Sequence, residues 1–350
     1  MARSDTGPWA DPGSAIDPRP EVDPGPGADS GSGVDPDLGV LPSPTIHRRA
    51  RVRSTQDEAA RLLEGGQEAP FAVATGEQTA GRGRLGRRFA SPAGGNVYLT
   101  YAHRTSLAPQ QRTWIPLAAG LAALEAVTAA VGVHGPVLGL KWPNDLQTAD
   151  GRKLGGILVE GRGSDLVLIG IGLNVHGPVR DGDGAEVPHA AWLLGDGGIR
   201  RDGEDLDGGG LGGGDRDGGG RDEATDADQR RRRIEQHLVE ALAAELTALE
   251  STTGDADAAG LAHRYTMTCL TLGRSVRVDP LGSDGAGGAR SPSLHGTARA
   301  VDAHGRLVVD LGTGGRRAVD VGDVRHVRPG GTARPATGAA GGAEQEEHGT

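Results

Sequence analysis

The chain has 350 residues and one cysteine, Cys269. A single thiol excludes an internal disulfide framework and a cysteine metal cluster. Aromatics make up only 3% of the residues, so part of the length is too poor in large apolar side chains to pack a core. Long apolar runs are scarce as well. The longest, WIPLAAGLAALEAVTAAVGV (114–133), is interrupted by Glu125 and rich in Ala and Gly. That composition fits a buried helix rather than a membrane span. The opening MARSDTGPWADPG has no apolar core of the kind a secretory signal needs. Together these absences set the expectation of a cytoplasmic protein with no membrane partner.

Glycine is abundant, with 61 residues, and it is unevenly placed. Residues 1–45 alternate Pro, Gly, Asp and Ser, residues 196–228 are a Gly/Asp tract, and 330–350 are rich in Gly, Ala and Glu. All three read as solvated, flexible segments. They carry formal charges of −6, −7 and −2 within a total of −10, which leaves +5 on the remainder. The apparent acidity therefore belongs to tails and an insertion and says little about a binding partner.

Between these tracts the periodicity is informative. RVRSTQDEAARLLEGG predicts a strand end, a capping box of Ser54 with Asp57 or of Thr55 with Glu58, and a helix stopped at Gly65. FAVATGEQ and GGNVYLTYAHR predict strands on either side of a Gly/Arg stretch. VLGLKWPNDLQTADGRKLGGILVEGRG predicts a hairpin of strands 137–148 and 153–162 turning at Asp150-Gly151, and DLVLIGIGLNVHG a further strand. RRRIEQHLVEALAAELTALES predicts an amphipathic helix with Ile234, Leu238, Leu242, Leu246 and Leu249 on one face. Short strands separated by Gly/Asp turns from Gly273 to Pro329 predict a small closed β-barrel. Strands that arrive as hairpins favour an α+β domain with a mixed, largely antiparallel sheet.

Two stretches carry chemistry. In GEQTAGRGRLGRRF (76–89) the glycines fit a dinucleotide spacing, but a strand follows and no acidic residue occurs between Glu77 and Glu125, which argues against that use. An RNA-binding Arg/Gly tract is longer and interleaved with aromatics. What remains is a mobile loop whose glycines admit close approach and whose Arg82 and Arg84 neutralise phosphate charge. The second stretch is KWPND (141–145) with KLGGILVE (153–160). Pro143 fixes a bend that leaves Asn144 and Asp145 at a strand margin, near Lys153 across the turn. Taken alone, Asp145 and Lys153 also fit a plain surface pair.

The ordered set STQ (54–56), QTAGRGRLGRRF (78–89), SPAGGNVYLT (91–100), KWPND, KLGGILVE and GIGLNV (170–175) resembles the biotin protein ligases over residues 50–265. The resemblance implies a catalytic domain at 46–268, related to class II aminoacyl-tRNA synthetases, and an SH3-like domain at 271–329. It implies biotin and ATP with Mg²⁺, and as partner the biotin carboxyl carrier protein or domain of acyl-CoA carboxylases. By position, biotin contacts fall on Ser54, Thr55, Gln56, Gln78, Arg82, Gly83, Arg84 and Lys153. ATP contacts fall on Arg82, Arg84, Phe89, Asn144, Lys153 and Asn174. Lys153, Arg84 and Asp145 are the implied catalytic set, with Asp145 orienting Lys153 or Mg²⁺ or taking the acceptor's proton. Arg87 and Arg88 are auxiliary charges. Glycines of KLGGIL and GIGLN would keep space for biotin and nucleotide. Phe89 stands where the family has tryptophan, and Arg53 where many members have an acid.

Some relatives bear an N-terminal DNA-binding domain. The proline-rich acidic segment 1–45 cannot build its helices and would repel DNA phosphates, so no DNA partner is expected. Lipoate–protein ligase and a non-catalytic binding module are the competing readings.

Overall fold

The chain is described here by a computed structural model that covers residues 43–87, 89, 94, 96–132, 137–181, 183–199, 223–280, 292–320 and 322–327. The tails, most of the 196–228 tract and Arg88 lie outside the described residues.

Seven strands form one mixed sheet: β1 (Thr45–Arg49), β2 (Phe71–Thr75), β3 (Val97–Arg104), β4 (Leu138–Lys141), β5 (Asp145–Thr148), β6 (Lys153–Arg162) and β7 (Leu166–Leu173). Their order is β1-β2-β3-β7-β6-β5-β4. Only β1–β2 runs parallel; the other pairings are antiparallel. The α+β reading with a largely antiparallel sheet is therefore what the chain adopts.

The single strand expected over 137–148 is two. β4 and β5 pair antiparallel, from Leu138↔Thr148 to Lys141↔Asp145, so the KWPND motif is itself the hairpin turn. Proline has no N–H for the ladder and fixes φ, which ends β4 before Pro143. A second turn leads into β6.

Alternation along the strands gives the sheet two different faces. Val97, Leu99 and Tyr101 of β3 and Val167, Ile169, Ile171 and Leu173 of β7 belong to the main core. Helix α2 (Ile115–Val131) packs on that face, with α3 (Glu223–Ser251) against it. All five apolar positions read from α3 are buried. The stretch 109–130 is apolar enough to cross a membrane, yet two thirds of its apolar window (67%) is buried inside the fold. On the opposite face Phe71, Val73, Ala102 and Leu168 pack with Ala59 of α1 (Thr55–Glu64). Further along that face β7 offers only Gly170 and Gly172, which leaves a depression beside the start of α1.

Helix α3 begins at Glu223, inside the tract read as flexible to 228, where the Glu and Ala of EATDAD favour a helix and its acids suit the first turns. A short helix, α4 (Leu261–Thr268), was not apparent in the sequence because Thr and Tyr dilute its helical signal. Five further strands follow: β8 (Ser275–Pro280), β9 (Leu294–Val301), β10 (Leu307–Asp310), β11 (Arg316–Val319) and β12 (Gly322–His326). They are ordered β11-β10-β9-β8-β12, with the two consecutive strands β11 and β12 at the ends.

His326 of β12 contacts Thr271 Oγ1 at 3.2 Å. Burial, then the charges of Lys141 and Arg274, lower its pKa from 6.5 to about 4. The unfolded chain therefore binds a proton that the folded ring refuses, so stability is intact above pH 6.5 and is lost as the pH falls toward 4. Thermal denaturation should show Tm dropping through that window, and less steeply in His326→Gln, which keeps a hydrogen-bonding group there. Parallel profiles for the two proteins would contradict this assignment.

Candidate active site

The depression on the α1 face is a pocket of about 160 Å³. Its floor is set by the register Gly156↔Gly172 and Leu158↔Gly170 between β6 and β7. Thr100 of β3 lies opposite Gly170 in the same ladder.

One wall is the start of α1. Ser54 is the N-cap, and its Oγ accepts from Gln56 N at 3.2 Å. Neither capping box suggested by the sequence forms: Asp57 instead faces Arg53 and Arg82. Thr55 donates to Gln78 Oε1 from its backbone N at 2.9 Å and its hydroxyl at 3.2 Å, and the Thr100 hydroxyl donates to Thr55 Oγ1. Gln56 Nε2 donates to Leu158 O at 3.0 Å, while Gln56 Oε1 is buried with no donor. A buried acceptor without a partner is costly, and an N–H from a ligand or an O–H from water would satisfy it.

The other wall is cationic. Lys153 Nζ donates to Asp145 Oδ1 at 2.7 Å. Strict alternation would not bring these two together. The ladder slips between Leu146 and Gln147, pairing Leu146 with Gly155 and Gln147 with Lys153. This bulge leaves Leu154 in the core and turns Lys153 onto the face of Asp145. Asn144 is tied to β6 twice, Nδ2 donating to Ile157 O and its own O accepting from Ile157 N, each at 2.9 Å. Its Oδ1 accepts from Arg84 Nη1 at 2.8 Å.

The Gly/Arg loop lies folded over this cleft. Gly83 N donates to Arg87 O at 2.8 Å, and Phe89 N to Gly81 O at 3.1 Å. The Phe89 ring rests on Gly172, where a Cβ would sit 2.6 Å from it, and meets Tyr98 edge-on. Arg82 is held by Glu160 at 2.9 Å and Asp57 at 3.2 Å. Neither carboxylate was assigned to the site in the sequence reading. Glu160 closes the KLGGILVE motif, but its partner is 78 residues away and no local spacing marks it.

Of the residues singled out, Ser54, Thr55, Gln56, Gln78, Arg82, Gly83, Arg84, Phe89, Asn144, Asp145 and Lys153 all line this pocket, and so does Arg87. Asn174 does not. It is buried behind β6, its Nδ2 donating to Ala191 O at 2.9 Å and Lys153 O at 3.3 Å. The glycines also act differently from the expectation. Gly170 and Gly172 make room for Gln56 and Phe89, and Gly156 for Lys153, so they seat protein side chains first. Gly322, from β12, reaches the pocket edge.

Comparison with known proteins places this architecture. Solved structures of Aquifex aeolicus biotin protein ligase share the fold. The one titled as a complex with biotin and ATP gives a TM-score of 0.56 at 20% identity, covering 81% of this chain and 99% of that one. The profile of the Biotin/lipoate A/B protein ligase family matches residues 49–175, and that of the biotin protein ligase C terminal domain matches 288–327. The bifunctional ligase/repressor BirA of Bacillus subtilis is 33% identical over 129 residues, which is 36% of this chain and 38% of that protein. The biotin–[acetyl-CoA-carboxylase] ligase of Mycobacterium tuberculosis is 34% identical over 282 residues, spanning 80% of this chain and 88% of that protein. Sequence likeness over that length, on the sheet and loop that form the pocket, means that this chain belongs to the biotin protein ligase family.

Proposed function

We propose that the chain activates biotin with ATP as biotinyl-5′-AMP and transfers the biotinyl group to a lysine of a biotin carboxyl carrier protein or domain. The observation that carries this reading is the convergence of Arg82, Arg84 and Lys153 on one pocket whose facing wall offers a buried, unmatched amide oxygen. The ureido N–H of biotin suits Gln56 Oε1, and Leu158 gives the ring system apolar contact.

In the first step a carboxylate oxygen attacks the α-phosphorus and pyrophosphate leaves. Both reactants are anions, so the barrier is dominated by charge crowding. Arg84 and Lys153 offset that repulsion as charge builds on the equatorial oxygens. Each is already held in place, by Asn144 and Asp145, so little reorganisation accompanies the reaction. Among the described residues no group of three or more His, Cys, Asp and Glu could hold a metal. A Mg²⁺ ion would therefore ride on the ATP phosphates, with Asp145 the carboxylate in reach. In the second step the acceptor amine attacks the acyl carbon and AMP departs. Asp145 takes the amine's proton in this reading. Phe89 provides the aromatic face for the adenylate. Asn144 would meet the nucleotide directly, and Asn174 would act through the backbone of Lys153.

The matched segments of the ligase/repressors cover about 38% of those proteins, so DNA binding is not carried across. We place the enzyme in the cytoplasm, where carboxylase carriers and ATP are available.

Biotin-dependent ATP–pyrophosphate exchange, run beside lipoate, tests the reading, and exchange with lipoate alone would refute it. Lys153→Ala and Arg84→Ala should each lose at least ~10²-fold in exchange, about 2.7 kcal/mol of barrier. Near-wild-type exchange in both would sink their assignment. Gly170→Ala puts a Cβ 2.9 Å from Gln56 Nε2. Calorimetric titration should then show biotin affinity weakened about tenfold with Tm nearly unchanged; unaltered affinity would count against Gln56 as the ureido partner.

A further inference from the structure

The turn residues that carry Asn144 and lead into Asp145 have no ladder to hold them. The β4–β5 pairing stops at Lys141↔Asp145, so residues 142–144 depend on contacts from outside the hairpin. On the β6 side these come from Ile157. On the other side they come from the C-terminal strands and the segment leading into them. Trp142 N donates to Thr271 Oγ1 at 3.1 Å, and the indole Nε1 donates to Gly305 O at 2.9 Å. Trp142 is 1% exposed. A buried indole N–H needs an acceptor, so the ring is confined to the orientation that reaches Gly305.

The acceptor is itself rigid. Gly305 lies in the β9–β10 turn, where Asp302 accepts from the backbone N of His304 and Arg306 and pairs with the Arg306 guanidinium. Gly305 has φ +71°, and a Cβ there would meet Thr113 O at 3.1 Å, so the turn is seated closely against the catalytic domain. A second tryptophan makes an equivalent bond to the same turn: Trp114 Nε1 donates to Ala303 O at 2.8 Å. Trp114 precedes α2 and carries no pocket residue beside it, whereas Trp142 is two residues from Asn144 and three from Asp145.

We propose that the β9–β10 turn is a positioning element for adenylation. By accepting from Trp142, Gly305 fixes residues 142–144 and, through Asn144, the placement of Arg84. Trp142 and Gly305 are thus positioning residues that touch no substrate. The inference rests on the adenylation reading above. It gives the C-terminal unit a catalytic consequence distinct from its edge contact through Gly322.

The two tryptophans supply their own control. In the full chain, Trp142→Phe and Gly305→Ala should lower the kcat of pyrophosphate exchange about tenfold, with KM for biotin within about twofold of wild type. Trp114→Phe removes the same kind of bond from the same turn and should leave kcat within about twofold. A readout independent of catalysis is the ¹⁵N–¹H resonance of the Asn144 side-chain amide. It should shift in Trp142→Phe and Gly305→Ala and stay in place in Trp114→Phe, whether or not exchange is observed. Equal loss of kcat in the two tryptophan variants would overturn the proposal, as would an unmoved Asn144 resonance in folded Trp142→Phe. Gly305→Ala keeps both outcomes accessible if Trp142→Phe does not fold.

Discussion

Three cationic side chains, Arg82, Arg84 and Lys153, share a small pocket with Arg87, and the repulsion among them is the constraint around which the site is built. Each is anchored by an acceptor: Lys153 by Asp145, Arg84 by Asn144, Arg82 by Glu160 and Asp57. Those acceptors come from different elements, so the β4–β5 turn, the end of β6 and the first turn of α1 must all arrive together. The sheet makes that possible. Its core face is filled with branched apolar residues against α2, while its other face is emptied to glycine where the pocket lies. A period of two residues separates the two demands within a single strand, β7.

Much of this was legible in the residues themselves. The face of α3 follows from a 3.6-residue repeat, and β7 follows from a continuous apolar run bounded by polar turns. The placement of Ser54, Thr55, Gln78, Arg82, Arg84, Asp145 and Lys153 on one pocket was readable through the resemblance to the biotin protein ligases, which carries each position over. What could not be read is non-local. Both halves of 137–148 have strand-like sequences, and only the pairing of Lys141 with Asp145 reveals that Pro143 divides them. Asp57 looked like a capping residue because its alternative partner, Arg82, is 25 positions on. Asn174 was assigned to a ligand, but its amide serves two backbone carbonyls that no spacing rule connects to it. The glycines were given to the ligand because a sequence cannot show that Gln56 and Phe89 already occupy the room they leave.

The C-terminal strands belong to the same compact unit as the sheet, which runs from Ser43 onward. Their link to it is polar and directional rather than only apolar. Two indole N–H groups aim at carbonyls of one turn, so the relative angle of the two parts is specified by hydrogen-bond geometry.

Helix α2 carries one more consequence, which concerns synthesis rather than catalysis. It is buried by the sheet on one side and by α3 on the other, and α3 starts about ninety residues after α2 ends. At about 5–20 residues per second of translation, the α3-facing side of α2 stays uncovered on the ribosome for several seconds. During that interval the nascent chain exposes an apolar helix face, the kind of surface that favours aggregation over folding.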